Sequence, residues 1–211
     1  MSIRVLIADD QEDLRSGYRM VIDAQPDMHV VGEAADGRAA VSIARRIRPD
    51  VVIADIRMPH LDGLEVTRQL AGAGVADPLR VVVVTTFDLD EYVHAALHNG
   101  ACGFLLKRSG PGLLVEAIRA AVEGDTLISP QLTVRLLRHL APPHPVSSAS
   151  AGLTPREAHI ARLVARGMTN GEIGEEMHLA AGTVKNHVAR IIGKLGVANR
   201  VGVALAMRDG T

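Results

Sequence analysis

RVVVVT, residues 80–85, is apolar at four consecutive positions, so a strand made from it buries both of its faces. Such strands are typical of parallel sheets that are covered by helices on both sides. Similar short runs rich in β-branched residues lie at 3–8, 29–34, 51–54 and 103–106. Stretches with helical spacing follow the strands in turn, at 14–25, 37–47, 63–71, 90–99 and 111–123. This alternation predicts a doubly wound α/β domain with a five-stranded parallel sheet over residues 1–125.

The pattern changes after residue 125. We expect one more helix over residues 129–140, followed by APPHPVSSASAG (141–152), which is rich in proline and serine, carries no charge and is typical of a linker. Beyond it only helical spacing occurs. Thr154 and Thr169 each precede a glutamate by three residues, the capping box that begins a helix. We therefore expect a helix and linker over 126–151 and a small all-α domain over 152–211.

The composition restricts the class of protein. Hydrophobic residues make up 47% and charged residues 22% of the chain, as in soluble globular proteins. No apolar run approaches the length of about 18 residues that predicts a membrane helix, and the N-terminus turns acidic too early for a signal peptide. Cys102 has no cysteine to pair with, which fits a reducing compartment. We expect a cytoplasmic protein with no membrane partner.

Charge is distributed unevenly along the chain. Residues 1–125 hold 13 Lys and Arg against 19 Asp and Glu, whereas residues 126–211 hold 10 against 5. A basic half is a candidate for binding nucleic acid. Chance variation in surface charge explains these numbers about equally well. The choice between the two explanations therefore depends on the sequence motifs.

Polar residues with related chemistry stand at four predicted strand ends. They are Asp9 and Asp10, Asp55, Thr85 and Lys107. Parallel strands of an open α/β sheet place their sites at their carboxyl ends, so these side chains are expected to converge. Crowded carboxylates favour a hard cation such as Mg²⁺. Each residue has an ordinary alternative, since an Asp pair can cap a helix and Thr or Lys can occupy a turn; the combination of all five favours a site.

Residues 1–125 resemble the receiver domain of two-component response regulators, which is flavodoxin-like. The matching features are Asp9-Asp10, DIRMP (55–59), the Asp62-Gly63 turn, Thr85, and Lys107 within ACGFLLK. The resemblance implies that Asp55 accepts a phosphoryl group from a sensor histidine kinase. It also implies a Mg²⁺ site formed by Asp10, Asp55 and the backbone carbonyl of Arg57, with Asp9 acting through water.

The same resemblance implies how the phosphoryl group is sensed. Lys107 pairs with it, Thr85 moves to hydrogen-bond it, and the aromatic ring of Phe104 fills the space that Thr85 vacates. Receivers often carry Tyr at this position, and Phe lacks the hydroxyl. Phe104 is also compatible with a plain core role on a buried strand.

The C-terminal segment has the pattern of a helix-turn-helix. A short helix over 170–177 and a turn over 178–182 lead into a second helix that carries amide and basic side chains, and a last helix is expected over 199–208. Such side chains contact phosphates and base edges in the major groove. A solvated surface helix would have a similar composition.

Residues 152–203 are similar to the LuxR-type helix-turn-helix of NarL/FixJ-type response regulators, through LTPRE, TNxEI, TVKxH and KLGVxNR. The resemblance implies contacts to double-stranded DNA from Thr183, Lys185, Asn186, His187, Ala189, Arg190 and Lys194. Ala180 stands where Ser usually caps the second helix, and basic residues common in the family are missing at Gly171, Gly182 and Ala189. We therefore expect weak DNA binding by a single domain, and dimerisation on phosphorylation.

The sequence lacks the marks of an enzyme. It has no GxxxxGK[ST] or GxGxxG phosphate loop and no nucleophile elbow, and His94 and His98 have no third ligand nearby. A phosphohydrolase with a similar acidic rim would need a second catalytic acid, which Arg57 does not provide. The expected function is phosphorylation-dependent control of transcription. The alternative is a DNA-binding regulator that is independent of phosphorylation and uses the receiver only for dimerisation.

Overall fold

The computed structural model describes residues 2–86, 90–129 and 152–208. Strands and helices alternate through the first two ranges. The strands are β1 (Ile3–Ala8), β2 (Met28–Ala34), β3 (Val51–Asp55), β4 (Arg80–Thr85), β5 (Gly103–Leu106) and β6 (Leu127–Ile128). The helices are α1 (Glu12–Asp23), α2 (Gly37–Ile47), α3 (Gly63–Ala71), α4 (Asp90–His98) and α5 (Pro111–Glu123).

The strands form one parallel sheet in the order β2-β1-β3-β4-β5-β6. The predicted doubly wound α/β fold is confirmed, but the predicted number of strands is wrong by one. Leu127 and Ile128 pair with Gly103 and Phe104 and add a sixth strand at the edge. Two residues are too few to produce a periodic signal in the sequence, which is why the strand was not predicted.

Apolar layers cover both faces of the sheet. Along β4, Val81 and Val83 enter the layer that includes residues of α2, α3 and α4, whereas Val82 and Val84 enter the layer with residues of α1 and α5. All four are at most 2% exposed. Burial on both faces accounts for the uninterrupted run of valines.

The C-terminal part contains α6 (Pro155–Ala165), α7 (Asn170–Met177), α8 (Ala181–Leu195) and α9 (Arg200–Arg208), which share a separate apolar cluster. Thr154 and Thr169 form the two predicted capping boxes. Helix α8 begins two residues before its predicted start, after Ala180.

The predicted helix over 129–140 lies outside the described residues except for Ser129, and so does the predicted linker except for residue 152. Within the described ranges, no helix combines the length and the apolar character that crossing a membrane requires.

Candidate functional site

Three carboxylates meet where β1 and β3 end. One oxygen atom from each of Asp9, Asp10 and Asp55 lies within 4.8 Å of the others. Asp9 and Asp55 are buried, at 1% and 4% exposure, whereas Asp10 is exposed to solvent. The structure therefore brings together the three acidic residues that the sequence singled out.

Lys107 lies between the two buried carboxylates. Its Nζ atom is 2.7 Å from Asp9 Oδ2 and 2.9 Å from Asp55 Oδ2. Burial raises the pKa of Asp55, and the hydrogen bond from Lys107 offsets this rise only in part. Burial also acts to lower the pKa of Lys107, but its close contacts with the two carboxylates outweigh burial and raise it. Lys107 is thus held as an ammonium ion between two carboxylates.

The turn after β3 fixes the position of Asp55. A Cβ atom at Gly63 would lie 2.0 Å from the carbonyl oxygen of Asp55, so only glycine allows α3 to begin this close to the strand. Asp62 caps α3 by accepting a hydrogen bond from the Glu65 N–H at 2.8 Å. The backbone N–H of Arg57 hydrogen-bonds the Asp55 carboxylate. The Asp62-Gly63 turn is therefore a structural part of the acidic site.

The two faces of the sheet divide the predicted site residues. Three strand residues in the layer with α1 and α5 lie two positions before Asp9, Asp55 and Lys107. Because side chains two positions apart along a strand point to the same face, these three site residues lie on that face as well. Thr85 follows Val83 by two positions, and both Val83 and Phe104 belong to the other layer, with α3 and α4. Thr85 is 1% exposed and Phe104 is fully buried. Phe104 thus occupies an inward orientation on the face of α4.

The acidic residues suit a magnesium ion. Their ligand atoms are carboxylate oxygens, which are the hard donors that Mg²⁺ prefers, and the exposed Asp10 leaves one side open to solvent. A cleft of about 410 Å³ lies beside Asp10 and is lined by Arg57, Pro59, Asp62 and Tyr92 among others. The side chains fit a divalent cation with room for further oxygen ligands.

Helix α8 carries the residues predicted to contact DNA. Its exposed members are Thr183, Asn186, Ala189, Arg190 and Lys194, and its partly buried members are Lys185 and His187. Ala180 precedes the helix as its N-cap and makes no side-chain capping hydrogen bond. The predicted residues thus lie on one helix, and most of them face solvent.

Two of the predicted DNA contacts are engaged within the protein. Lys194 Nζ hydrogen-bonds Glu157 Oε2 of the first capping box at 2.6 Å. Lys185 Nζ donates to the carbonyl oxygen of Val122, at the end of α5, at 2.6 Å. Burial and the positive charge of Arg80 lower the pKa of Lys185. The ammonium group of Lys185 therefore belongs to a contact between the two parts of the chain.

Further polar contacts extend this interface. Asn199 Nδ2 donates to the carbonyl oxygen of Leu97, in the last turn of α4, at 2.7 Å and to that of Ala101, between α4 and β5, at 2.9 Å. Arg200 forms an ion pair with Asp125, and both side chains are largely buried. The KLGVxNR motif includes Asn199 and Arg200 but does not indicate their partners, because the residues that meet are about 75 to 100 positions apart and belong to different periodic elements.

Comparisons with known proteins cover both parts of the chain. The family described as "Response regulator receiver domain" matches residues 5–119, and "Bacterial regulatory proteins, luxR family" matches residues 151–207. The transcriptional regulatory protein LiaR of Bacillus subtilis (strain 168) is 38% identical over 203 residues, covering 96% of this chain and 95% of LiaR.

Two solved structures have a similar fold along the whole chain. The response regulator ChrA of a heme-sensing two-component system is 34% identical with a TM-score of 0.55, covering 99% of this chain and 98% of ChrA. A complex of the two-component response regulator RcsB with DNA is 25% identical with a TM-score of 0.59, and the match covers 100% of both chains.

Proposed function

Because this chain belongs to the response regulators that join a receiver domain to a LuxR-type DNA-binding domain, we propose that it regulates transcription in response to phosphorylation of Asp55 by a sensor histidine kinase. The observation that carries the proposal is the arrangement at the sheet edge, where Asp55 shares a 4.8 Å cluster with Asp9 and Asp10 and lies 2.9 Å from Lys107. We assign the receiver to residues 1–125, a helix and linker to 126–151, and the DNA-binding domain to 152–211.

The reaction is a transfer of a phosphoryl group between two proteins. A carboxylate oxygen of Asp55 attacks the phosphorus of the kinase's phosphohistidine. The P–N bond breaks, the histidine leaves with the electron pair, and Asp55 becomes an acyl phosphate. When Mg²⁺ is bound, it neutralises the charge that gathers on the transferred oxygens. Asp10, Asp55 and the Arg57 carbonyl would hold the ion, and Asp9 would act through water.

The protein's own residues then detect the new group. A phosphoryl group adds a charge of about −1.5 to −2, and the ammonium of Lys107 moves from the carboxylates to meet it. Thr85, at the end of β4, supplies a hydroxyl from the other face of the sheet, and Phe104 repacks beside it. These movements act on the layer that holds α4.

Helix α4 connects this response to the DNA-binding domain. The carbonyl oxygen of Leu97, in its last turn, accepts a hydrogen bond from Asn199, and Lys185 of α8 is held at the end of α5. We assign this closed arrangement to the unphosphorylated state. Phosphorylation shifts the population toward an open state in which α8 is free to bind double-stranded DNA, as a dimer. Because the proposed target is DNA of the bacterial chromosome, the proposed function requires the protein to act in the cytoplasm.

The decisive experiment compares Asp55→Ala with Asp13→Ala, an aspartate in the exposed first turn of α1. Each full-length variant is incubated with Mg²⁺ and radiolabelled acetyl phosphate, and covalent label and dimer formation are measured. We expect label and dimer with Asp13→Ala and neither with Asp55→Ala. Persistent labelling of Asp55→Ala would place the acceptor elsewhere.

A second measurement distinguishes DNA binding that depends on phosphorylation from DNA binding that is independent of it. Genome-wide mapping of bound DNA, with wild type and Asp55→Ala under conditions that activate the kinase, should show occupied sites only for the wild type. Equal occupancy by both proteins would assign the receiver to dimerisation alone.

A further inference from the structure

Tyr18, in the middle of α1, packs against the apolar layer on the α1 and α5 face of the sheet. That layer contains the three strand residues that precede Asp9, Asp55 and Lys107 by two positions each. Since side chains two apart along a strand share a face, the phenol ring and the acidic site lie on the same face of the sheet.

The hydroxyl group of Tyr18 is buried and has no hydrogen-bond partner in the part of the chain that the structure describes. Burial raises its pKa far above the usual value, and the negative charges of Asp9 and Asp55 raise it further. The phenol is therefore a neutral donor within electrostatic reach of both carboxylates. A buried donor without an acceptor costs stability, and a state in which an acceptor comes within reach would recover that cost.

Lys107 is shared in the described state. Its Nζ atom contacts Asp9 Oδ2 at 2.7 Å and Asp55 Oδ2 at 2.9 Å. A phosphoryl group on Asp55 competes for this ammonium, because its charge is about −1.5 to −2. When Lys107 turns toward the phosphoryl oxygens, the buried Asp9 Oδ2 loses the cation that it now contacts.

We propose that Tyr18 is a positioning residue of the phosphorylated receiver, whose hydroxyl donates a hydrogen bond to the Asp9 carboxylate, directly or through one water molecule, once Lys107 has moved to the phosphoryl group. Tyr18 thereby releases Lys107 from Asp9 and stabilises the acyl phosphate. This inference rests on the proposed phosphorylation of Asp55.

The first test uses the full-length protein with Mg²⁺ and beryllofluoride, which mimics a phosphoryl group on aspartate. Tyr18→Phe keeps the ring and removes only the donor. We expect the affinity for beryllofluoride to fall about tenfold, the usual size for loss of a hydrogen bond to a charged group. The thermal midpoint of the unliganded variant should equal or exceed that of wild type, because an unpartnered donor has been removed.

The two proposals fail in different ways. If beryllofluoride does not bind the wild type, the proposed function is wrong and this inference falls with it. If wild type and Tyr18→Phe bind beryllofluoride equally well, phosphorylation of Asp55 stands and the role of Tyr18 is overturned.

A spectroscopic measurement separates a hydrogen bond from packing. The chain contains two tyrosines, so a sample labelled with ¹³C at tyrosine Cζ gives two resonances, and Tyr18→Phe identifies one of them. We expect the Tyr18 resonance to move downfield when Mg²⁺ and beryllofluoride saturate the wild type. An unmoved resonance would overturn the proposal even if the variant binds beryllofluoride more weakly.

Discussion

Lys185, on the helix predicted to bind DNA, donates a hydrogen bond of 2.6 Å to the Val122 carbonyl at the end of the receiver's last helix. An ammonium group in this contact cannot neutralise a DNA phosphate at the same time. The closed arrangement therefore competes with DNA for a specific side chain. Other polar contacts join the same two parts of the chain, and each can be changed separately.

Asn199→Asp should open the two domains without removing the start of α9. The Asn199 side chain accepts a hydrogen bond from the Gly202 N–H at 3.0 Å, and Asp preserves this acceptor. The change replaces the Nδ2 donor with a carboxylate oxygen that faces the carbonyl oxygens of Leu97 and Ala101, so a buried negative charge is placed against two acceptors. We expect faster hydrogen exchange at the end of α4 and at least about tenfold tighter DNA binding by unphosphorylated protein.

Asn186→Asp is the matched control for opening, because it makes the same chemical change at an exposed position of α8. It should leave exchange at the end of α4 unchanged. Unaltered exchange in Asn199→Asp as well would mean that these hydrogen bonds do not hold the domains together.

Gly63→Ala should disrupt the acidic site by displacing the turn that positions Asp55. The added Cβ atom would lie 2.0 Å from the Asp55 carbonyl oxygen, so the turn must move and Asp55 with it. We expect a loss of about 2 kcal/mol or more in the free energy of unfolding and loss of beryllofluoride binding. Gly17→Ala is the control, since a Cβ atom there has no neighbour within 4 Å; it should stabilise α1 by about 0.5–1 kcal/mol. A Gly63→Ala protein that binds beryllofluoride normally would contradict this account.

Ala180→Ser should stabilise the DNA-binding domain. Ala180 is the N-cap of α8 and has no side-chain acceptor for the free N–H groups of the first turn. Serine supplies one, and we expect the free energy of unfolding in urea to rise by about 1 kcal/mol. Ala181→Ser introduces the same hydroxyl one residue later, inside the helix, and should give no gain. Equal effects of the two changes would show that the cap is not the cause.

The stability of the same domain should depend on pH through Glu157. The hydrogen bond from Lys194, with further ones from Thr154, lowers the pKa of Glu157 from 4.5 to about 2. Because this pKa is lower in the folded state, the stabilisation is fully present above pH 4.5 and is lost as the pH falls toward about 2. The difference in unfolding free energy between wild type and Glu157→Gln should shrink over that range.

Glu172 occupies the equivalent place in the second capping box, where hydrogen bonds from Thr169 lower its pKa. It has no lysine partner among the described residues. Glu172→Gln should therefore show the same sign with a smaller amplitude. A difference that is independent of pH in Glu157→Gln would show that the ion pair with Lys194 contributes nothing.

DNA binding should depend only weakly on salt concentration. Helix α8 offers Lys185, Arg190 and Lys194 as cations, and two of these are engaged within the protein. Each neutralised phosphate contributes about −0.9 to the slope of log K against log salt. We expect a slope no steeper than about −3 per monomer, measured by fluorescence anisotropy on duplex DNA. A slope that implies six or more phosphate contacts per monomer would contradict this.

The periodic elements were predictable because each carries its own signal. The valines of β4 required two covered faces, and Thr154 and Thr169 marked the starts of two helices. The sixth strand was not predictable, because Leu127 and Ile128 are too short a run to show a period of two, and their pairing with β5 depends on a distant part of the chain. Strand ends also indicated where Asp9, Asp55 and Lys107 would meet, since parallel strands present their carboxyl ends at one edge.

Other parts of the site depend on distances that no local pattern encodes. Lys107 contacts both Asp9 and Asp55, although the sequence implied only a contact with a phosphoryl group. Tyr18 has the spacing of any core residue of α1, and only its buried, unpartnered hydroxyl distinguishes it. The partners of Asn199 depend on which surfaces of two separately folded units come together, and this information is not periodic.

The position of Lys185 has a consequence for the direction of signalling. Coupling between two sites is reciprocal, so if the phosphoryl group favours release of this lysine to the double helix, the double helix must favour retention of the phosphoryl group. Binding of the regulator to a promoter would then favour the phosphorylated state of its own receiver domain. At a given supply of the phosphoryl donor, the regulator would therefore be phosphorylated to a greater extent when it is bound to its target than when it is free in solution.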